Sequence, residues 1–207
     1  MHMLTNLDRM RDADAQAVRY SVELVRHVMP GDLDRPTPCA DWTLADLLAH
    51  MTAQHRGFAA AAAGEGENED AWRVAPGGDD AVESYTAACG LVVRAFAAVD
   101  SAERKFALPE FGPGLTFPAA TAIGFHFIDY VVHGWDVARS LGLPYTPDPW
   151  LLEAALPIAL AVPDGDERLA PGAAFRPGLL PVGDPSLLGR TLSALGRSPN
   201  WQAHQGC

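Results

Sequence analysis

The sequence predicts a nearly all-helical protein: four bundled helices, followed by a short C-terminal helical extension. Three observations carry this. Apolar residues recur at helical spacing over several stretches of roughly twenty residues. Clusters of proline, glycine and acidic residues punctuate the gaps between them. Strand-like alternation is weak throughout. The 207 residues suit one large domain or one domain with an appendage. Residues 1–145 read as the bundle, and 146–207 as an extension with two helices and an irregular loop.

Residues 4–29 read as the first helix. Leu4, Leu7, Met10, Ala17, Val18, Val25 and Val28 approximate an apolar stripe, but Arg11, Asp14 and Ser21 interrupt it. Met29-Pro30-Gly31 ends it. Asp41-Trp42-Thr43 reads as a helix start, with Thr43 and Asp46 spaced as a capping box. The second helix, 43–63, puts Leu44, Leu47, Leu48, Met51 and Phe58 on its apolar side, with His50, Asp46 and Gln54 sharing another. Residues 64–78 form a polar loop. The third helix covers roughly 79–99 and opens on acidic residues at its positive end. Residues 100–116 are irregular, with a short extended piece around 105–108. Residues 117–142 make the fourth and longest helix, stopped by Gly142 and Pro144. A nearly wholly apolar helix follows at 148–162, which Pro157 should kink or split. Residues 163–184 read as an irregular surface loop, and 185–196 as a last amphipathic helix.

The fourth helix is the most informative element. With His126 set at 0° on a helical wheel, Asp129, His133 and Asp136 fall at about 300°, 340° and 280°. Two histidines and two carboxylates thus share one narrow arc, while Phe127, Val131, Gly134 and Ala138 line the opposite side and apolar residues fill both flanks. A surface helix carries a broad polar side. A narrow ionisable stripe on an apolar helix belongs in an interior or a cleft. Asp129 and His133, at i and i+4, can reach one cation together. With His50 from the second helix they would supply two imidazoles and a carboxylate, a set that suits catalytic zinc or another divalent transition metal. His126 is a further candidate ligand or proton-transfer group, and Asp136 a candidate acceptor for an imidazole N–H. The plainer readings are a solvated His50 and a structural Asp129–His133 pair. His55 lies near 140° from His50 and should not share the site. Trp42 and Trp135 read as core anchors, and Cys39 as a small buried residue.

Composition narrows the function. Apolar residues at 48% and charged residues at 20% are ordinary for a globular chain. The net charge of −11, without a basic patch, argues against nucleic acid or an anionic membrane as partner. No apolar run approaches the roughly 18 residues of a membrane span and no leader is readable, so a cytoplasmic protein is expected. Three cysteines at unrelated spacings indicate neither a disulfide framework nor a cysteine zinc site. Lys105 is the only lysine among 15 basic residues, which with the many alanines points to a GC-rich bacterial genome.

The segment TPCADWTLADLLAHM resembles the N-terminal signature of the mycothiol-dependent maleylpyruvate isomerase family, within the wider DinB/YfiT-like superfamily of four-helix-bundle metalloproteins. HFIDYVVHGWDVARSLGLP is similar to that family's fourth-helix signature, and LLPVGDPSLLGRTLSALGRSPNW to the tail of an actinobacterial subgroup. The resemblance implies a metal held by His50, Asp129 and His133, the trio the wheel picks out. In the isomerase the first of the fourth-helix pair is glutamate, and a sizeable C-terminal α/β domain follows that has no counterpart here. The resemblance also implies a divalent metal (zinc first, nickel or iron as alternatives) and a low-molecular-weight thiol, mycothiol, as co-substrate. The expected activity is that of a thiol S-transferase or isomerase acting on a small electrophile, with His126 or Asp136 moving protons. The alternatives are a non-enzymatic bundle that binds a small ligand or metal, and a metal-dependent hydrolase. A homodimer is compatible with either.

Overall fold

Helix α4, Ala119–Leu141, is the axis of the molecule in the computed structural model. The structure describes residues 6–39, 42–76, 78, 80–170, 173–180 and 186–203. Most of α4 is buried, including the whole run from Tyr130 to Ala138. Its sequence explains this: apolar and small residues occupy nearly every angle of the wheel, so every side seeks a neighbour. The helix stops where Gly142 turns left-handed at φ 69°, its N–H returning to the Ala138 and Arg139 carbonyls.

Around α4 the bundle forms as two helix pairs. Helix α1 (Asn6–Val25) lies chiefly along α4, while α2 (Leu44–Ala63) lies along α3 (Ala81–Ala97). The interface between the pairs holds Ala17, Val18, Leu47, Met51, Phe127 and Val131, all nearly inaccessible to solvent. Helix α2 begins as its sequence requires. The Thr43 hydroxyl accepts from the Asp46 N–H, and the Asp46 carboxylate accepts from the Thr43 N–H at 3.0 Å. The 64–78 loop is anchored by Trp72, which donates to the Gly66 carbonyl at 2.8 Å and lies on Gly57. A Cβ at Gly57 would fall 2.1 Å from the Trp72 ring, so only glycine fits beneath it. The extended piece before α4 is a strand, β1 (Lys105–Ala107), paired antiparallel with β2 (Thr116–Pro118).

Two features of the extension differ from the sequence reading. Helix α5 (Pro149–Ala161) continues through Pro157 as one element. Pro157 is exposed, as is Glu153 four residues before it, so the Glu153 carbonyl that loses its partner can be hydrated. The loop after α5 contains a short 3₁₀ turn, Asp166–Leu169, and a buried arginine. The Arg168 guanidinium donates to the carbonyls of Val162, Pro163, Arg176 and Ala194, tying the loop to α6 (Leu187–Ala194). Helix α5 packs on α4 and α1, and α6 packs on α5. Among the described residues no helix is long and apolar enough to cross a membrane.

Candidate metal centre

Three of the residues singled out by the sequence come together between α2 and α4. His50, Asp129 and His133 each offer a donor atom, and these atoms all lie within 4.8 Å of one another. The imidazoles of His50 and His133 stand edge to face, 5.4 Å between centroids. His133 is buried, while Asp129 keeps 21% of its side-chain exposure, so the cluster opens on the carboxylate side. The half-buried Trp42 ring packs against the core and lies 4.8 Å from His50, while Trp135 is buried within the core.

The second ring nitrogen of His133 decides its orientation. Nδ1 lies 3.0 Å from Asp136 Oδ2, and Nε2 lies 3.3 Å from Asp129 Oδ1. Asp136 therefore occupies one nitrogen and turns the other towards His50 and Asp129. A metal-binding imidazole is held in this way when its far N–H donates to a carboxylate. Asp136 is itself buried and held by Arg197, whose Nη2 and Nε approach it at 3.3 and 3.4 Å. Nothing in the sequence pointed to Arg197. It follows α6, 61 residues from Asp136, and a lone arginine after a helix carries no local signal.

The electrostatics fit the geometry. Burial, aided by the His133 charge, pushes His50 down to about 4, so at neutral pH it presents a lone pair. Burial works against a charge on His133, but Asp129 and Asp136 outweigh it and lift the group to about 10. Burial likewise works against ionised Asp129, and His133 outweighs it, leaving the carboxyl at about 2. Without a cation the cluster thus holds a proton between two carboxylates. A divalent ion would replace that proton, and the residues present fit one. Cys39, His133 and Asp136 form a second grouping with close donor atoms. There the Arg197 guanidinium already sits 3.3 Å from both Cys39 Sγ and Asp136, so the positive charge is supplied by the chain. At the mouth of the centre, Gln54 Nε2 donates to Glu110 Oε2 at 3.2 Å. Glu110 is exposed as a residue, but partial desolvation of its carboxyl and the neighbouring Asp129 push that group up to about 7.

His126 does not join this cluster. It lies one turn earlier on α4, its Nδ1 2.6 Å from Asp14 and its Nε2 3.0 Å from His55. His55, set apart from His50 by the wheel, is fully buried in that second group. His27 is exposed, and His2 and His204 lie outside the described residues.

Fold and site together define a helix-bundle protein with an open cluster of two histidines and an aspartate between its helices. Residues 15–138 match the family described as mycothiol maleylpyruvate isomerase N-terminal domain, and the chain belongs to that family. Two Mycobacterium tuberculosis proteins, from different strains and described as uncharacterized, are each 30% identical over 159 residues, covering 73% of this chain and 78% of theirs. Among solved structures, the mycothiol-dependent maleylpyruvate isomerase superposes with a TM-score of 0.55 at 15% identity. A histidine-to-alanine mutant of that enzyme gives 0.57 at 14%; both alignments cover 77% of this chain and 71% of the other. At this identity the likeness is one of fold.

Proposed function

We propose that the protein is a metal-dependent enzyme of mycothiol chemistry, a thiol S-transferase or isomerase acting on a small electrophile. The observation that carries this is the convergence of His50, Asp129 and His133 donor atoms within 4.8 Å in a chain of the mycothiol isomerase family. These three residues would hold the divalent ion, zinc being the best match to two imidazoles and a carboxylate with coordination left open. Once bound, the ion supplies Lewis acidity that lowers the pKa of a thiol or water beside it.

The chain's own residues do the rest. Asp136 fixes the His133 ring through Nδ1, and Arg197 fixes Asp136, so both act as positioning residues. Trp42 covers the His50 face and limits water there. Glu110, with its carboxyl raised to about 7 at the mouth, is suited to exchange a proton with a substrate. The bundle of residues 1–145 would form the catalytic unit, and the extension contributes Arg197 to it.

Metal content by mass spectrometry, on tag-free wild type beside His133→Ala, tests the first half of this reading. A near-stoichiometric divalent metal in wild type that the folded variant loses supports it. Wild type that is empty and refuses added Zn²⁺ and Ni²⁺ overturns it. With metal established, turnover of maleylpyruvate and simple epoxides or alkyl halides, with and without mycothiol, separates thiol transfer from hydrolysis.

A further inference from the structure

Beside the mouth of the metal centre lies the tip of the β1–β2 hairpin, of which the proposed chemistry uses Glu110 alone. Strand β1 leads into a 3₁₀ turn, Pro109–Phe111, and Leu115 leads into β2. The Leu108 N–H donates to the Leu115 carbonyl at 3.1 Å and closes the loop. The tip touches both helices that carry the metal cluster. On α2, Gln54 stands one turn after His50 and donates to Glu110 at 3.2 Å. On α4, Phe125 stands one turn before Asp129, and the Phe111 ring lies 5.0 Å from it. Residues four apart share a helix face. The tip therefore bridges α2 and α4 one turn from the cluster.

Phe117 completes an aromatic triad, 5.0 Å from Phe111 and 5.2 Å from Phe125. These rings are not sealed into the core. Phe111 keeps 46% of its exposure and Leu115 47%, while Phe117 and Phe125 are half-buried. A single exposed phenylalanine is ordinary on a protein surface, but contiguous apolar surface beside a set of convergent polar groups is the make-up of a ligand site. Charge narrows what fits. Asp129 and Glu110 bring two carboxyl groups to the mouth, and the groups that act on Glu110 are Asp129 and Gln54, neither of them basic. The guanidinium that acts on the cluster is that of Arg197, buried against Asp136 on the Nδ1 side of the His133 ring. A dicarboxylate with one carboxylate at the cluster would set the other against Glu110 and the rings, with no cation to pair with.

We propose that Phe111, Phe117 and Phe125 form the subsite for the electrophile, and that it takes an uncharged molecule with an apolar body of phenyl size and one small polar group. The body lies on the three rings, and the polar group, a carbonyl or epoxide oxygen, turns towards the cluster. Glu110 and Gln54 border it. The assignment rests on the thiol-transfer reading of the cluster and deepens it by naming the class of electrophile. With styrene oxide, the thiol sulfur forms a bond to a ring carbon of the epoxide, the C–O bond there breaks, and the thiol's proton ends on that oxygen. Maleylpyruvate, which carries two carboxylates, is the wrong charge for this mouth.

Ligand-observed NMR tests the wall without turnover, with acetophenone as the neutral aromatic probe and maleate as the dicarboxylate, on the protein as purified and again after chelation. Acetophenone should bind in both states and more tightly than maleate. Phe111→Ala, whose side chain lies outside the core, should weaken acetophenone about tenfold. With metal and mycothiol, styrene oxide should be turned over in preference to maleylpyruvate. Phe111→Ala should raise its KM while leaving the KM for mycothiol and the turnover of propylene oxide, which lacks the ring, unchanged. Acetophenone bound at the wall by a protein that takes up no metal would uphold the subsite and remove the metal reading. A metal-loaded protein that prefers maleate, whose acetophenone affinity ignores Phe111→Ala, or in which that substitution acts on the KM for mycothiol, would overturn the subsite and leave the metal reading standing.

Discussion

Two histidine groups sit between one and two helical turns apart in this bundle, and their surroundings differ. The His50–Asp129–His133 cluster lies at the open end, where Asp129 and His50 reach solvent and donor atoms converge without filling one another's bonding capacity. The Asp14–His126–His55–Cys89 group is buried, and each of its ring nitrogens already has a partner in line. Convergent donors with room to spare make a place for a cation. Donors in a closed line make a seam that holds helices together. The same residue type on the same two helices serves both, five positions apart on α2 and seven on α4.

Substitution should separate the two groups most sharply through stability. His126→Ala leaves Asp14 buried without its partner and opens a cavity, so it should cost about 3–5 kcal/mol. His50→Ala, at the partly open edge, should cost under about 1 kcal/mol yet abolish metal retention. Urea denaturation read beside metal content checks both; a mild His126→Ala would show that the closed group is not the seam described. Arg197→Leu comes next. Removing the guanidinium strands the buried Asp136 charge and frees the His133 ring, so metal affinity should fall about 10–100-fold, measured by competition with a chelating dye.

The acid–base behaviour of the metal-free protein offers a finer test. His133 rises from 6.5 to about 10 on folding, so its protonated form favours the folded state. That contribution is complete below the unfolded value of 6.5 and is lost as pH rises through about 10. The urea midpoint of wild type should therefore fall across this window, and the fall should be flatter in His133→Ala. A site outside both groups should affect stability alone. Thr43→Ala removes the α2 cap and should cost about 1 kcal/mol while leaving metal content unchanged.

The fourth-helix part of the His50–Asp129–His133 cluster was legible because its pattern is local. Asp129, His133 and Asp136 share a helix face by spacing alone, and Gly142 and the Thr43–Asp46 box mark helix ends by chemistry within a few residues. The closed group left only a faint trace. Asp14 and Ser21 interrupt the apolar stripe of α1, and these are the two positions that bond to His126 of α4 and Tyr85 of α3. The wheel put His126 with Asp129 because it measures angle and not depth; in the bundle they meet different neighbours.

By itself the sequence determined the helical class and the family, and singled out His50, Asp129 and His133, whose donor atoms the fold brings together. Helix periodicity, caps and the i, i+4 pair act over one or two turns, and covalent geometry fixes them. Only the tertiary structure decided which helices face each other across each histidine. It brought Arg197 from the extension onto Asp136, buried Arg168 among four carbonyls, and joined Asp14 to Cys89 through two rings. Those contacts cross long sequence separations, and packing of the whole chain selects them rather than any local preference.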